Sequence, residues 1–421
     1  MQPRRGVHPA WIIAAIAFVA LVAAAGFRAA PSALITPLQR EFGWSTSEIS
    51  VSITINLLLY GLMAPFAAAL MQRFGIRIVT TIGLLLVAAG AGLSTLATEP
   101  WVLILTWGFL IGIGTGSMAL VFAATIADAW FVRSRGLVVG ILTAGGATGQ
   151  LVFLPIVAGL AETNGWRWAT LTCAAAALAV VPFAFGILRD KPSQLGVTPY
   201  GAPTDWVEPV TSPGNPARNA VVALRDASRR WPFWALAIGF FICGASTNGL
   251  VGVHFIPSAH DHGMAETTAA GLLAVIGLFD IVGTIASGWL TDRVDPRILL
   301  GVYYAGRGIG LAVLPMLLEA TVQPPMIAFI VIYGLDWVAT VPPTVALCRK
   351  YFGARGPIVF GWVFAAHQLG AAVAATLAGV VRDTTGEYTL AWFSAAGLCA
   401  VAAVLSLSIR RPRAPQPAPA A

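Results

Sequence analysis

Long apolar runs separated by short basic turns, with the turns repeating at a fixed offset, constrain this chain more than any other feature. Arg73 and Arg293 are 220 residues apart (293 − 73 = 220), and so are Arg77 and Arg297, Arg135 and Arg355, and Gly136 and Gly356. A basic turn after the second apolar run therefore recurs, and so does one after the fourth. Between the copies lies the one long polar stretch, Leu188 to Arg230. The pattern predicts an all-α protein with about twelve membrane-crossing helices in two six-helix pseudo-repeats, over 1–188 and 231–410. A linker over 189–230 joins them, and a Pro- and Ala-rich tail over 411–421 is expected to be disordered.

Composition supports a membrane protein. Of 421 residues 57% are hydrophobic and only 10% charged, against about 25% charged in soluble domains, and the mean hydropathy is +0.80. Each crossing needs about 20 apolar residues, and about six such runs lie on each side of the linker. The net charge of +7 is unevenly placed. Counting spans from the N-terminus puts 20 of the 25 Lys and Arg on one side of the membrane. The positive-inside rule then places both termini and the linker in the cytoplasm of a multi-pass inner-membrane protein. The basic surface is expected to face anionic lipid headgroups rather than nucleic acid. The four cysteines lie singly in apolar runs, without metal or redox spacing, and read as buried small hydrophobes. The first apolar run, after Arg4 and Arg5, is long for a signal peptide and is needed as span one of the repeat.

Along the chain, span one runs from about His8 to Leu38. Ser45-Thr46-Ser47-Glu48 reads as the N-cap of span two. Span four carries Gly108, Gly112 and Gly116, and span five Gly136, Gly140, Gly145 and Gly149, at spacings that suit close helix packing. The Gly112–Gly116 run has no preceding strand, so a phosphate loop carries little weight. No nucleophile, metal or phosphate constellation points to an enzyme, and no cofactor is implied. His260, Asp261 and His262 resemble metal ligands but read as a solvated loop.

Two stretches resemble known signatures. Ser287-Gly288-Trp289-Leu290-Thr291-Asp292-Arg293, with Arg297 beyond, resembles the loop signature of the major facilitator superfamily. Its first copy, around Arg73 and Arg77, has Gln72 where the acid is usual. The resemblance implies the major facilitator fold and a gating loop formed by Arg73, Arg77, Asp292, Arg293 and Arg297. In such a loop the acid contacts a neighbouring helix terminus and arginines. Trp130-Phe131-Val132-Arg133-Ser134-Arg135-Gly136, continuing through Gly140 and Gly145 to Gly149, is similar to the span-five signature of monocarboxylate transporters. That family also carries an Asp and an Arg one turn apart on span eight. Asp280 matches the first and Thr284 replaces the second. Its span-one lysine after a proline is replaced by Ser32, after Pro31.

Charged residues inside spans cost at least ~2.5 kcal/mol each by insertion scales and need partners or a wet cavity. Arg28, Asp280, Arg307 and Asp336 are such residues. Asp280 lies 12 residues before Asp292 (292 − 280 = 12) and Arg307 lies 10 after Arg297 (307 − 297 = 10). At ~1.5 Å per residue their depths match, so an Asp280–Arg307 pair is feasible, with Asp336 as the alternative partner for Arg307. Such a pair either fixes span eight against span nine or switches with protonation. Arg28 and His254 fall at similar depth in spans one and seven. They read as an anion-and-proton site, or as a snorkelling cation and a packing histidine. Asn56, Tyr60, Tyr333, His367 and Gln368 are further substrate-site candidates that could equally satisfy helix backbone.

The function expected is alternating-access transport of a small organic anion, with a lactate-like monocarboxylate moved with a proton as the favoured case. Arg28, His254, Asn56, Tyr60, Tyr333 and Arg307 would bind substrate. Asp280, His254 and Asp336 would handle the proton. One chain is expected to suffice. The rivals are an organic-anion exchanger, a proton-driven exporter and, from another class, a transporter-like sensor.

Overall fold

The computed structural model describes residues 7–208 and 214–410, with the side chains of 28–32, 46, 47 and 266 outside the description. The expected disordered tail therefore lies outside the described residues. Among those that are described, eleven helical segments are long and apolar enough to cross a membrane. One of them, Pro324–Thr385, has 62 residues. Straight, it would be about 90 Å long, three times the ~30 Å of a bilayer core. It instead turns at Gly353–Arg355, where Gly353 takes a left-handed φ of 58°. The segment is thus two crossings, and the twelve expected spans are present.

The spans are Pro9–Phe42, Thr46–Phe74, Ile76–Ser94, Pro100–Trp130, Arg135–Thr163 and Trp166–Ile187, then Trp231–Asp261, Glu266–Thr291, Pro296–Val313, Pro324–Phe352, Gly356–Thr385 and Thr389–Ser408. Span two starts as its sequence dictates. Ser45 Oγ accepts the Glu48 N–H at 3.2 Å, and Glu48 accepts the Ser45 N–H at 2.8 Å, which is a reciprocal capping box.

Three spans are irregular. Spans four and seven contain π-helical stretches, Ile104–Ile111 and Ala245–Val251. Span four also breaks at Met118–Ala119, and span ten breaks between Asp336 and Val341. Met118 and Val338 are again 220 residues apart (338 − 118 = 220). The two copies therefore interrupt the same helix at the same place.

The first six spans meet the second six chiefly along two helix pairs, five with eight and two with eleven, with smaller contacts of five with ten and four with eleven. Glycine permits the approach, because a Cβ on Gly140 would lie 3.1 Å from the Gly288 Cα, and one on Gly361 would lie 2.6 Å from the Pro65 nitrogen. These contacts run from mid-span to the end that carries the linker. At the far end, Glu41 pairs with Arg167 at 2.6 Å and Asp261 with Arg382 at 2.7 Å, each pair staying within one set of six. The molecule is closed at its linker end.

Overpacking a tight contact costs typically ~1–3 kcal/mol. Gly140→Leu should therefore lower the closed-to-open ratio about 5- to 150-fold. Maleimide labelling of a cysteine introduced at Ala346, which lines the linker-end cavity, should accelerate accordingly.

The linker is not a loose tether. Tyr200 exchanges backbone hydrogen bonds with Trp130 and Val132 at 2.8 and 2.9 Å, and its ring packs with those of His8 and Trp11. Further on, Pro216–Ser228 is a helix, capped by Asn215 and started by a proline. Its Ala220, Ala223 and Ala227 face inward with 0–1% exposure against spans two and eleven.

Candidate functional site

The break in span ten is where the membrane-embedded charges gather. Interrupting a helix frees backbone groups that lipid cannot satisfy. Here side chains from two other spans take them up. Asp280, in span eight and 4% exposed, accepts the freed Val338 N–H at 3.1 Å and the Thr284 hydroxyl at 2.8 Å. Ser287, two turns along from Asp280, donates to the Ala339 carbonyl at 2.5 Å. Arg307, in span nine and 1% exposed, donates from Nη2 to the carbonyls of Asp336 and Trp337 at 2.6 and 3.2 Å. Its Nε meets the Asp336 carboxylate at 2.7 Å and its Nη1 the Cys243 sulfur at 3.0 Å.

Depth arithmetic thus placed the right residues at one level, and of the two partners it offered Arg307 the structure shows the alternative, Asp336. Arg307 is bonded to Asp336, not to Asp280, because rotation about each helix axis aims the guanidinium at span ten. Sequence reasoning did not bring Cys243 or Thr340 to this site, and it named Thr284 and Ser287 without their contacts here. Cys243 contacts Thr340 at 3.2 Å as well as Arg307. Spacing along span eight places Thr284 one and Ser287 two helical turns from Asp280.

The other candidates are distributed around this cluster. Asn56 donates to the Trp107 carbonyl at 2.7 Å, and Tyr333 to the Ser246 carbonyl at 3.0 Å. Each thereby serves a π-helical stretch. His254 is 8% exposed, with Nε2 2.8 Å from the Ala375 carbonyl and Nδ1 3.3 Å from the Tyr388 hydroxyl. Both ring nitrogens are engaged within the second six spans. Tyr60 reaches across to the second six, edge-on to Phe364 at 5.4 Å between centroids. It also lines a cavity of about 30 Å³ with Thr115 and Thr143. His367 lies beside Phe240 and Phe364, and the Gln368 stem faces Gly61. Arg28 lies in helical span one, but its side chain is outside the described residues. His260 and Asp261, expected in a solvated loop, end the helix of span seven with His262 as its C-cap, and Asp261 is held by Arg382 at 2.7 and 3.0 Å.

At the linker end a cavity of about 330 Å³ is lined by Asp128, Arg135, Asp292, Arg349 and Lys350. Asp128 in span four forms an ion pair with Arg349 in span ten, across the two sets of six. Asp292 accepts the N–H groups of Gly136 and Leu137 at 2.8 and 3.0 Å, placing a carboxylate on the positive end of span five. Arg297 bonds to Asp295 at 2.7 Å and to the Ile409 carbonyl at 2.6 Å. Arg73 donates to the Gly214 carbonyl at 2.8 Å, the Arg77 guanidinium lies over the Phe185 ring, and that of Arg293 lies over Trp289.

Hydrogen bonds from Arg297 hold the Asp295 carboxyl at about 2, below its ordinary 3.8. The folded value is the lower one, so the stabilisation is complete above about pH 4 and is lost as pH falls toward 2. Asp295→Ala, which also removes the cap of span nine, should cost on the order of 1–2 kcal/mol at pH 7. Thermal unfolding in detergent at pH 7 and at pH 3 should show the deficit shrinking at the lower pH.

Two duplicated six-helix sets, closed against each other at one end, with charges buried at a helix break, define a multi-pass membrane transport protein. The chain belongs to the Major Facilitator Superfamily, whose family model matches residues 16–357 and 255–421. Monocarboxylate transporter 11 of Homo sapiens is 28% identical over 409 residues, covering 92% of this chain and 80% of that protein. The uncharacterised MFS-type transporter YcxA of Bacillus subtilis is 25% identical over 387 residues and covers 90% of each. The E. coli fucose:proton symporter FucP shares the fold with a TM-score of 0.67 at 16% identity, over 95% of this chain and 99% of that one. XylE does so with a TM-score of 0.71 at 14% identity, over 95% of each. The expected superfamily fold and the resemblance to monocarboxylate transporters are both met.

Proposed function

We propose that this transporter moves a small monocarboxylate together with a proton, by alternating access. The observation that carries the reading is the position of Asp280. It is a membrane-embedded carboxylate, and it touches the freed amide of the span-ten break. One turn on, Thr284 lies at the crossing with Gly140 of span five, in the other set of six. A change of charge at Asp280 therefore acts on the helix that closes the molecule. Protonation there removes the charge that would otherwise oppose rearrangement in a medium of low dielectric. The names of the relatives supply the substrate class.

The cation that meets the carboxylate is assigned to Arg28. Arg307 has its donors spent on the span-ten break, and Tyr333 has its hydroxyl spent on span seven. Tyr60 lies at the Asp280 position of the first copy (280 − 60 = 220). It contributes an aromatic wall and a hydroxyl where the two sets meet. The linker end is assigned to the cytoplasm from its basic charge, so the closed end faces inward and the structure corresponds to an outward-facing state.

The reading is tested in proteoliposomes with radiolabelled lactate. An inward proton gradient should drive accumulation. Counterflow that ignores the gradient would favour an anion exchanger, and binding without flux would favour a sensor.

A further inference from the structure

The two copies of the gating loop are unequal. In the second loop the acids are built in. Asp292 accepts the Gly136 and Leu137 N–H groups, and Asp295 caps span nine by accepting the Arg297 N–H at 3.1 Å. The repeat offset puts Gln72 at the position of Asp292 and Gly75 at that of Asp295. The receiving end has changed too. Gly356 and Pro357 stand where Gly136 and Leu137 donate, and proline has no N–H to offer. Gln72 donates to the Ala354 carbonyl instead, at 3.1 Å.

Both missing acids come from the linker. Asp190 accepts the Arg77 N–H at 2.9 Å, the bond that Asp295 makes to Arg297 in the second copy. Its carboxylate occupies the space that a side chain on Gly75 would need, which fits glycine there, at φ 91°. Asp226, on the linker helix, pairs at 2.5 Å with Arg355, the counterpart of Arg135, at the start of span eleven. The Trp362 indole N–H holds the same helix through the Ala220 carbonyl at 2.9 Å. The helix lies on span two of the first six and span eleven of the second, so it bridges them at the closed end.

We propose that the linker is the first copy's latch: Asp190 completes the loop between spans two and three, and the helix Pro216–Ser228 locks the linker end until Asp226–Arg355 and Trp362–Ala220 part. The proposal rests on the alternating-access reading, since only a carrier that opens at this end has to release the lock.

The test uses the full chain in proteoliposomes and a readout that needs no substrate. Spin labels on cysteines at Ile78 and Ile298, each 46% exposed and 220 residues apart (298 − 78 = 220), report the width of the linker end by pulsed EPR. All four native cysteines are buried. Asp226→Ala should raise the wide fraction about two- to fivefold, as an exposed ion pair allows. Adding Gln72→Asp with Pro357→Leu rebuilds an in-loop acid and its second N–H donor, and should reverse the rise. Without the labels, a disulfide between cysteines at 226 and 355 should hold the end shut, with maleimide unable to reach a cysteine at Ala346 until a reductant is added. The lock is overturned if Asp226→Ala leaves the distances unchanged, or if the cross-linked protein labels at Ala346 as fast as the reduced one. Should Asp226→Ala fail to fold, the cross-link decides alone. Absent lactate flux with these distance changes would sink the substrate and leave the lock standing.

Discussion

Asp280→Asn is expected to abolish lactate accumulation driven by a proton gradient, by at least about 100-fold, or ~2.7 kcal/mol, while counterflow persists. The amide is nearly isosteric. Its oxygen can still accept the Val338 N–H and the Thr284 hydroxyl that Asp280 accepts now, so the span-ten break stays supported. What the variant lacks is a group that can change charge. A permanently neutral residue resembles the loaded, protonated carrier, which by the proposed mechanism still exchanges substrate but cannot return empty with the proton released. Uptake and counterflow in the same vesicles separate the two cases. Gradient-driven uptake retained in Asp280→Asn would remove Asp280 as the proton carrier.

The second large effect is on stability. Arg307→Met should destabilise the protein by ~3–5 kcal/mol, the usual cost of removing one partner of a buried ion pair. The side chain of Arg307 is wholly buried, and its loss leaves the Asp336 carboxylate and the Asp336 and Trp337 carbonyls without their donor. Arg307→Lys should fall between, because an ammonium lacks the planar fork that serves the carboxylate and both carbonyls. Removing both charges with Arg307→Met and Asp336→Leu should restore much of the loss, since no unpaired charge remains. Thermal inactivation half-lives in detergent rank the three, because membrane proteins of this size rarely unfold reversibly. A double variant as unstable as the single one would contradict this account.

Much of the fold was legible because lipid leaves few choices. Apolar length, the side preference of arginine and the 220-residue offset together require two sets of six helices. The site was legible in its composition and not in its pairings. Asp280, Arg307 and Asp336 announce themselves as charges in apolar spans, and residue counting gives their depth. It does not give the rotation of each helix, and rotation decides that Arg307 meets Asp336. The span-ten break was half-written in Pro342 and Pro343, yet prolines in a first turn do not reveal that the preceding four residues unwind. The linker helix carried a plain signal that composition obscured. Asn215-Pro216 is a cap and a first-turn proline, and Ala220, Ala223 and Ala227 follow at helical spacing. Reading Leu188–Arg230 as merely polar hid it.

The interruptions of spans four and ten make the two halves mechanically unlike. Both copies break at the same offset, but only the second carries charges there. Val87 and Gly116 occupy the positions of Arg307 and Asp336. The first copy manages its break without a buried ion pair: Thr115 and Ser117 return their hydroxyls to carbonyls of their own helix at 2.8 and 2.7 Å. The second is braced by side chains from neighbouring spans, so its joint moves only together with spans eight and nine. One half of the molecule carries a self-contained joint and the other a joint geared to its neighbours.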